Sequence, residues 1–262
     1  MIELGKAKRQ VIESICRESS EVLILGAMEG SIGRVWVPKL DIPSFCLIQV
    51  GDFSYLIGIP PKGSFALDLK VLMYEVCEKN MITTTDERWE DWIEEQFIGE
   101  YRKITRYALK KDENRFDQEK LQAYKNMLPS GFRLKKMDGS SYRMALKEKW
   151  SQDFCNNFED EQHFLSDGLG YVIMKGRKMV AGCSAYGVSS QKMEVEVATL
   201  KEFRRQGLAL VCSAAFVSEC ISRGIYPNWD AANLRSVALA EKLGYIYDKE
   251  YEVYQLQVNT DD

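Results

Sequence analysis

The chain has a single histidine, His163, and none of its seven cysteines is spaced as Cys-x-x-Cys. Zinc sites draw on clustered cysteine and histidine side chains, so we predict no metal centre. Ser-His-Asp chemistry is also disfavoured, because His163 would have to carry it alone. The cysteines are odd in number, irregularly spaced and mostly within apolar runs. This pattern favours reduced thiols packed in a core over a secreted disulfide framework.

Long apolar runs and an excess of basic residues are missing as well. No stretch approaches the ~18 consecutive apolar residues of a membrane-spanning helix, and the opening MIELGKAKRQ lacks the apolar core of a signal peptide. We therefore predict a cytoplasmic protein without membrane contact. The net charge is −4, with 18 basic and 21 acidic residues in 1–128 and 17 and 18 in 129–262. Neither half has the positive charge that nucleic-acid binding demands, so no nucleic-acid partner is predicted.

The length suits either one large domain or two ordinary ones. The polar segment KKDENRFDQEKLQAYKNMLPS, residues 110–130, predicts a helix-containing connector. We therefore predict an N-terminal α/β domain over residues 1–128 and a second domain over residues 129–262.

The first domain alternates short β-rich runs with helical patterns. Residues 1–20 predict a helix with Arg9 on its solvent face. In the helix predicted for residues 86–97, Trp89 and Trp92 fall on neighbouring faces and are expected to pack in the interior. The order of predicted elements, β-β-β-α-β-α-β, recurs in both domains, which indicates a shared architecture.

The stretch FRRQGLA, residues 203–209, connects the strand-like run KMEVEVATL to the apolar run LVCSAAFVSECISRG. The start of a helix presents several backbone N–H groups that lack partners inside the helix, and these groups favour an anion. Gly207 lets a backbone approach a ligand without a Cβ in the way, and Arg204 and Arg205 add positive charge. The pattern predicts a site for a di-anion such as pyrophosphate. The alternative, from these residues alone, is a plain turn with solvated arginines.

Two motifs resemble the GNAT superfamily of N-acyltransferases. The spacing Arg204-x-x-Gly207-x-Ala209, after a strand and at the opening of a helix, is similar to the loop that holds acyl-CoA pyrophosphate in that superfamily. NLRSVALAEKLGY, residues 233–245, resembles its second signature. WSQDF, GLGYVI and NWDAANLRSVALAEKLGY resemble the subgroup that includes zwittermicin A resistance acetyltransferases, which carry an N-terminal extension of similar size. The resemblance covers roughly the second half of the chain.

The resemblance implies an α+β fold, with a GNAT-like mixed, splayed β-sheet flanked by helices in the C-terminal half. The N-terminal α/β domain is then expected to be a degenerate copy of the same half-fold. Acetyl-CoA is the implied co-substrate, and a primary amine of a small molecule is the implied acceptor. The residues that it assigns to acetyl-CoA lie on the strand end, the loop and the next helix: Val197, Ala198, Thr199, Arg204, Arg205, Gln206, Gly207, Leu208, Ala209, Asn233 and Ser236.

Glu194 and Glu196 are the candidate catalytic bases. They lie two residues apart on one strand and so share a face, from which either could accept the amine proton directly or through water. The alternative is that both line a solvated face of the sheet. Many members of the superfamily carry a tyrosine seven residues after the motif asparagine to protonate the leaving thiolate, and here that position is Ala240. The sequence therefore names no general acid, and Tyr245 is expected to lie in the core.

Two functions thus remain open from the sequence. The first is an acetyl-CoA-dependent N-acetyltransferase, and the second is a non-catalytic acyl-CoA-binding module, which the missing tyrosine favours. The identity of the amine and the oligomeric state, a homodimer included, also stay open.

Overall fold

The computed structural model describes residues 1–112 and 115–257. Its α-helices are, in chain order, α1 (Glu13–Cys16), α2 (Val22–Glu29), α3 (Ser64–Val76), α4 (Glu87–Gln96), α5 (Gln118–Lys125), α6 (Gly139–Ala145), α7 (Glu161–Asp167), α8 (Leu208–Ser222) and α9 (Leu234–Leu243). Short 3-10 helices cover Lys6–Ile12, Gln152–Phe154 and Lys201–Phe203.

The β-strands are β1 (Ile2–Glu3), β2 (Arg34–Val37), β3 (Phe45–Val50), β4 (Phe53–Gly58), β5 (Met81–Thr84), β6 (Tyr101–Leu109), β7 (Arg133–Lys136), β8 (Gly170–Lys175), β9 (Lys178–Val188), β10 (Lys192–Thr199), β11 (Tyr226–Asn228), β12 (Asp230–Ala231) and β13 (Tyr247–Leu256). Strands β8 and β9 form a hairpin with the two-residue turn Gly176 and Arg177.

The chain forms two compact units. Unit 1 consists of Met1–Arg106 and Tyr251–Asp262, and unit 2 of Tyr107–Glu250. Strands β6 and β13 each carry residues of both units. The predicted domain boundary between residues 128 and 129 stays a prediction. The two compact units instead meet within β6, after Arg106, and within β13, after Glu250.

Unit 2 contains a five-stranded sheet in the order β11-β10-β9-β8-β7. Its strands are antiparallel except for the parallel pair β10 and β11, which the crossover helix α8 connects. Helix α8 packs against β8, β9 and β10 and is largely buried. Its apolar residues accordingly extend around almost its whole circumference. It ends before Gly224, whose φ of 69° suits the left-handed conformation after a helix.

Unit 1 contains strands in the order β1-β2-β3-β4-β5-β13-β6. Strands β2, β3 and β4 are antiparallel, and the crossover helix α3 leads to β5, which pairs with β4 in parallel. Its core is rich in aromatic side chains, with Trp89 and Trp92 of α4 buried as the sequence predicted. Asp86 caps α4 by accepting a hydrogen bond from the backbone N–H of Arg88.

The two units repeat one order of elements. In each, a strand, two helices and three antiparallel strands are followed by a crossover helix, a parallel strand, a further helix and a last strand. This repeat is the shared architecture that the sequence predicted. All seven cysteines are buried, as expected, and Tyr245 is buried as well. Across residues 1–112 and 115–257, none of the helices has the length and apolar character needed to cross a membrane.

Candidate active site

The sheet of unit 2 divides where β10 meets β11. The parallel pairing joins three residue pairs: Lys192 with Tyr226, Met193 with Pro227, and Glu194 with Asn228. After Asn228 the chain turns into β12, which pairs instead with Ala108 and Tyr107 of β6. Strand β10 continues to Thr199, and its remaining ladder partner in the described part of the chain is β9. The two parallel strands therefore separate, as the predicted splay requires.

We call the Glu194–Asn228 pair the fork, and the space between Val195–Thr199 and Asp230–Ala231 the gap. Along the gap, β10 presents a strand edge that no strand pairing within the described residues covers. Such an edge offers alternating N–H and C=O groups to an extended ligand, which can pair with it as an added strand would.

The side chains of β10 alternate between two faces of the sheet. On one face Met193 lies against α8, with its sulfur 4.0 Å from that of Cys220. On the other face Glu196 lies opposite Ser184, whose hydroxyl donates to the carbonyl of Phe154 at 2.6 Å. Glu196 therefore faces away from α8, toward the 3-10 helix Gln152–Phe154.

The two candidate bases lie in different surroundings. Glu194 is 8% exposed, and the side-chain nitrogen Nδ2 of Asn228 donates to its Oε2 at 2.6 Å. Glu196 is half-buried and lies beyond the fork, beside the gap. Glu194 pairs with Gly187 of β9 and Val195 with Ala185, so that Tyr186 has no partner on β10 and forms a β-bulge. This bulge lies next to the fork, where the pairing of β10 with β11 also ends.

The loop after β10 lies in solvent, from Arg204 to Gly207. Arg204 donates from Nε to the carbonyl of Thr199 at 3.0 Å, which ties the loop to the strand end. Arg205 has a φ of 62°, which is uncommon for a residue other than glycine, and Gly207 has a φ of 79°. A Cβ built on Gly207 would meet no atom within 4 Å. Backbone conformation therefore accounts for the glycine, and the space beside it is open.

Helix α8 begins at Leu208, directly after this glycine. Leu208 is buried and anchors the first turn, and the N-cap residue, Gly207, has no side chain that could cap the helix. The first N–H groups of a helix have no partner within it, so they point toward the open side of the loop. The hydroxyl oxygen of Thr199 is also buried, and it has no hydrogen-bond partner in the part of the chain that the structure describes. These groups are donors of the kind that a phosphate and an amide-containing arm accept.

Helix α9 and the residues before it form the far side of the gap. Asn233 caps α9, since its Oδ1 accepts from the backbone N–H groups of Arg235 and Ser236 at 3.1 Å each. Ser236 also accepts a hydrogen bond from Nε1 of Trp229 at 3.0 Å. Tyr245 donates to the carbonyl of Pro227 at 2.7 Å, and burial raises the pKa of its phenol well above the ordinary value.

A family model for GNAT acetyltransferases matches residues 13–254. The chain belongs to the GNAT acetyltransferase family. The uncharacterized N-acetyltransferase YdfB of Bacillus subtilis (strain 168) is 32% identical over 131 residues, which are 48% of this chain and 49% of that protein. The chain thus matches about half the length of this curated relative.

Solved structures agree with the family. A GCN5-related N-acetyltransferase-like protein from Streptococcus suis 89/1591 is 34% identical, with a TM-score of 0.85 over 97% of this chain and all of that one. A tandem GNAT protein from the clavulanic acid biosynthesis pathway is 10% identical, with a TM-score of 0.60 over 95% of this chain and 93% of that one, and it supports the fold alone. The predicted α+β GNAT fold with a splayed sheet is therefore confirmed, and the chain is of the acyltransferase class, as the sequence predicted.

The predicted residues of this GNAT protein fall into two groups. The first group follows the chain past the gap: residues 197–199 end β10, and residues 204–209 form the loop and the start of α8. Asn233 and Ser236 lie at the start of α9, where both make hydrogen bonds within the protein. Sequence reasoning missed Asn228, because its contact with Glu194 depends on the register of two parallel strands. No local pattern in the sequence reports that register.

Unit 1 of this GNAT chain has its own junction between a strand and a crossover helix, β4 to α3, but the end of β4 is occupied. Trp89 donates from Nε1 to the carbonyl of Gly58 at 3.0 Å, and Trp92 donates from Nε1 to that of Pro61 at 3.0 Å. Nearby, Thr85 donates from its hydroxyl to the carbonyl of Leu56 at 3.3 Å. Side chains thus use the backbone acceptors that an extended ligand would need. These carbonyls are therefore not open to a ligand, unlike the strand edge along the gap of unit 2.

Proposed function

We propose that the protein is an acetyl-CoA-dependent N-acetyltransferase that acts on a primary amine of a small molecule by direct attack on the thioester. The observation that carries the proposal is the open gap of unit 2, which leads from the fork to the loop before α8. A strand edge, a helix start and two arginines follow one another along this path, and acetyl-CoA has an amide-containing arm and a pyrophosphate in the same order.

The backbone of Val197–Thr199 would hold the pantetheine arm, and the N–H groups of about Arg205–Ala209 would hold the pyrophosphate beside Arg204. The hydroxyl of Thr199, which has no hydrogen-bond partner among residues 1–112 and 115–257, supplies one further donor or acceptor at the strand end. Asn233 and Ser236 would contact the arm from the far side of the gap. Attack of an amine on a thioester requires no metal ion.

In the reaction, Glu194 or Glu196 takes a proton from the amine, and the nitrogen forms a bond to the carbonyl carbon of the thioester. The bond from that carbon to sulfur then breaks, and the sulfur leaves with the electron pair as the thiolate of CoA. Alignment of the two reactants can supply ~7–11 kcal/mol of the acceleration, and a general base contributes ~10²–10⁴-fold. Backbone N–H groups along the gap would stabilise the negative charge on the carbonyl oxygen.

The leaving group does not require a strong acid, because a thiol has a pKa near ~8.5. Ala240 stands where many family members have a tyrosine, and it is fully buried. Tyr245 is not a substitute, since its hydroxyl is buried and donates to Pro227. This lack of a named acid favours the second candidate, an acyl-CoA-binding module without catalysis.

We further place the protein in the subgroup that resembles zwittermicin A resistance acetyltransferases. The basis is the resemblance of the stretches WSQDF, GLGYVI and NWDAANLRSVALAEKLGY to that subgroup.

The two candidates are separated by supplying acetyl-CoA with a panel of amines, including amine-bearing antibiotics and polyamines, and measuring thiol release. An acetyltransferase releases CoA thiol with at least one amine. Binding of acetyl-CoA by calorimetry, without thiol release from any amine, would support the binding module instead. The double variant Glu194→Gln/Glu196→Gln should lower turnover by at least about 100-fold and still bind CoA.

The placement of the pyrophosphate is tested by Gly207→Ala against a matched control, Gly224→Ala. Both glycines flank α8, have positive φ and have open space beside them. An alanine at either position should cost about 1–2 kcal/mol of unfolding free energy, because the left-handed conformation disfavours a Cβ. Only Gly207→Ala should also weaken CoA binding, by about tenfold, since its methyl group would enter the space that the phosphate needs. Equal CoA affinities of the two variants would contradict this placement.

A further inference from the structure

We propose that Asn228 is a positioning residue for the transfer, which holds the carboxylate of Glu194 at the fork and leaves Glu196 as the catalytic base. The inference rests on the proposed function and deepens it, because it divides the roles of two glutamates that the sequence could not separate. It also gives a role to Asn228, the first residue of the stretch NWDAANLRSVALAEKLGY, to which the sequence assigned none.

The contact between Asn228 and Glu194 is buried on both sides. Asn228 is 5% exposed and Glu194 is 8% exposed, and Nδ2 donates to Oε2 at 2.6 Å. A carboxylate is costly to bury unless hydrogen bonds replace its lost water. The amide of Asn228 supplies one such hydrogen bond as a neutral donor. The contact therefore replaces part of the hydration that Glu194 loses at the last rung of the closed sheet.

Asn228 is held in place by its two neighbours. The carbonyl of Pro227 accepts the hydrogen bond of Tyr245, and Nε1 of Trp229 donates to Ser236. The rings of Trp229 and Tyr245 pack edge to face, with their centroids 5.5 Å apart. The backbone on either side of Asn228 is thus fixed to α9 through Ser236 and to Tyr245, two residues after the end of that helix. An amide on such a rigid segment can fix the position of Glu194 and, through it, the point where β10 and β11 separate.

Glu196 differs in the properties that a base needs. It lies two residues beyond the fork, on the edge that borders the gap, and is half-buried rather than buried. An incoming amine must come within hydrogen-bond reach of the base. Glu194 lies within the closed part of the sheet, with one carboxylate oxygen bound to Asn228. Glu196 is therefore the glutamate that an acceptor in the gap can reach.

The test compares kcat and KM for acetyl-CoA in Glu196→Gln, Glu194→Gln, Asn228→Ala and the double variant Glu194→Gln/Asn228→Ala. Glu196→Gln should lower kcat by about 100-fold or more. Glu194→Gln should lower it by less than about tenfold, because the glutamine oxygen still accepts the hydrogen bond of Asn228. Asn228→Ala should lower kcat by about tenfold and change KM little, since the loop that holds the pyrophosphate lies at the other end of the gap.

The double variant gives the decisive comparison. In Asn228→Ala the buried carboxylate of Glu194 loses the hydrogen bond from Nδ2, and Glu194→Gln replaces the carboxylate by a neutral amide that tolerates this loss better, so the double variant should be more active than Asn228→Ala alone. A general loss of packing would not be rescued in this way. Asn80→Ala is the matched control: Asn80 is a buried asparagine of unit 1 whose Nδ2 donates to Ser54 and Gly51, and its loss should leave kcat unchanged. If Asn228→Ala does not fold, Asn228→Ser replaces it, with a smaller loss and the same rescue.

The outcomes separate this inference from the function on which it rests. If wild-type protein turns over acetyl-CoA and Glu194→Gln is as inactive as Glu196→Gln, Glu194 is the base and the division of roles is overturned. If Glu194→Gln fails to improve Asn228→Ala, the positioning role is overturned. If the wild-type protein releases no thiol with any amine, the proposed function fails, and the positioning role fails with it.

Discussion

At the scale of single residues, Glu219 shows how a carboxylate on α8 ties that helix to its sheet. Lys136 of β7 donates to it at 2.6 Å, and the Tyr171 hydroxyl of β8 and the Arg223 guanidinium also donate to it. Burial by itself would raise the pKa of Glu219, but the hydrogen bonds from Lys136, Tyr171 and Arg223 outweigh it and lower the pKa to about 2. The ionised form is therefore the one that the folded state favours.

Glu219→Gln is expected to lower the free energy of unfolding at pH 7 by about 1–2 kcal/mol, less than the full pKa shift would give because Lys136 lies half in solvent. A folded pKa below the unfolded value means that this stabilisation is complete above about pH 4.5 and is lost as the pH falls toward 2. Urea unfolding between pH 7 and pH 3 should show the difference shrink. Glu202→Gln, at an exposed pair with Lys178, is the control and should change little. A difference that stays constant with pH would contradict the assignment.

Residues with buried polar contacts were the hardest to predict from the sequence. The solvent-facing position predicted for Arg9 is wrong: the residue is buried, and its guanidinium donates to the carbonyls of Ala27, Ile32 and Gly33. Its charge suggested exposure, while the three acceptors lie in the last turn of α2 and just after that helix, 18 to 24 residues later in the chain. Gly207 and Arg204, by contrast, could be found, because the spacing of a helix start is local.

At the scale of elements, α9 depends on Asn233 at its first turn. Asn233→Ala should cost about 1 kcal/mol of unfolding free energy, whereas Asn233→Asp keeps the capping oxygen and should cost little. The nitrogen Nδ2 is not used in capping, and our proposal assigns it to acetyl-CoA. Asn233→Asp should therefore weaken acetyl-CoA binding by about five- to tenfold in calorimetry while unfolding stays as in the wild type. Unchanged binding would show that Asn233 caps the helix and does nothing else.

Most elements near the site could be predicted, because their patterns are local. The strand of Glu194 and Glu196, the β8–β9 hairpin and helix α8 follow from alternation, a two-residue turn and an apolar run. The predicted helix over residues 1–20 is shorter in the structure, with a 3-10 helix at Lys6–Ile12 and α1 at Glu13–Cys16. The point where β10 and β11 separate could not be predicted from the residues, since β12 pairs with residues more than 100 positions earlier in the chain.

At the scale of the whole molecule, one order of elements serves two different purposes. Within the described residues, no strand pairs with the edge of β10 along the gap of unit 2. In unit 1, Thr85, Trp89 and Trp92 donate hydrogen bonds to backbone carbonyls at and after the end of β4. Trp89, Trp92 and Phe97 also pack on one another in the core of unit 1. Opening a slot there would uncover this cluster, and burial of large aromatic side chains contributes strongly to stability. The aromatic core thus explains why a repeated fold need not carry a repeated site.

The protein should therefore bind one acetyl-CoA per chain. Calorimetry should give a stoichiometry of about one, and native mass spectrometry should show a single added ligand. Exchange of the loop charges, Arg204→Glu/Arg205→Glu, should weaken that binding by about 100-fold, because two cations beside the pyrophosphate become anions. Lys62→Glu makes a single such charge exchange at the junction before α3 and should leave binding unaltered, whereas each of Arg204→Glu and Arg205→Glu alone should weaken it. A second ligand per chain, or a loss of affinity in Lys62→Glu, would mean that unit 1 also takes acetyl-CoA and that the tryptophan contacts do not close its strand end.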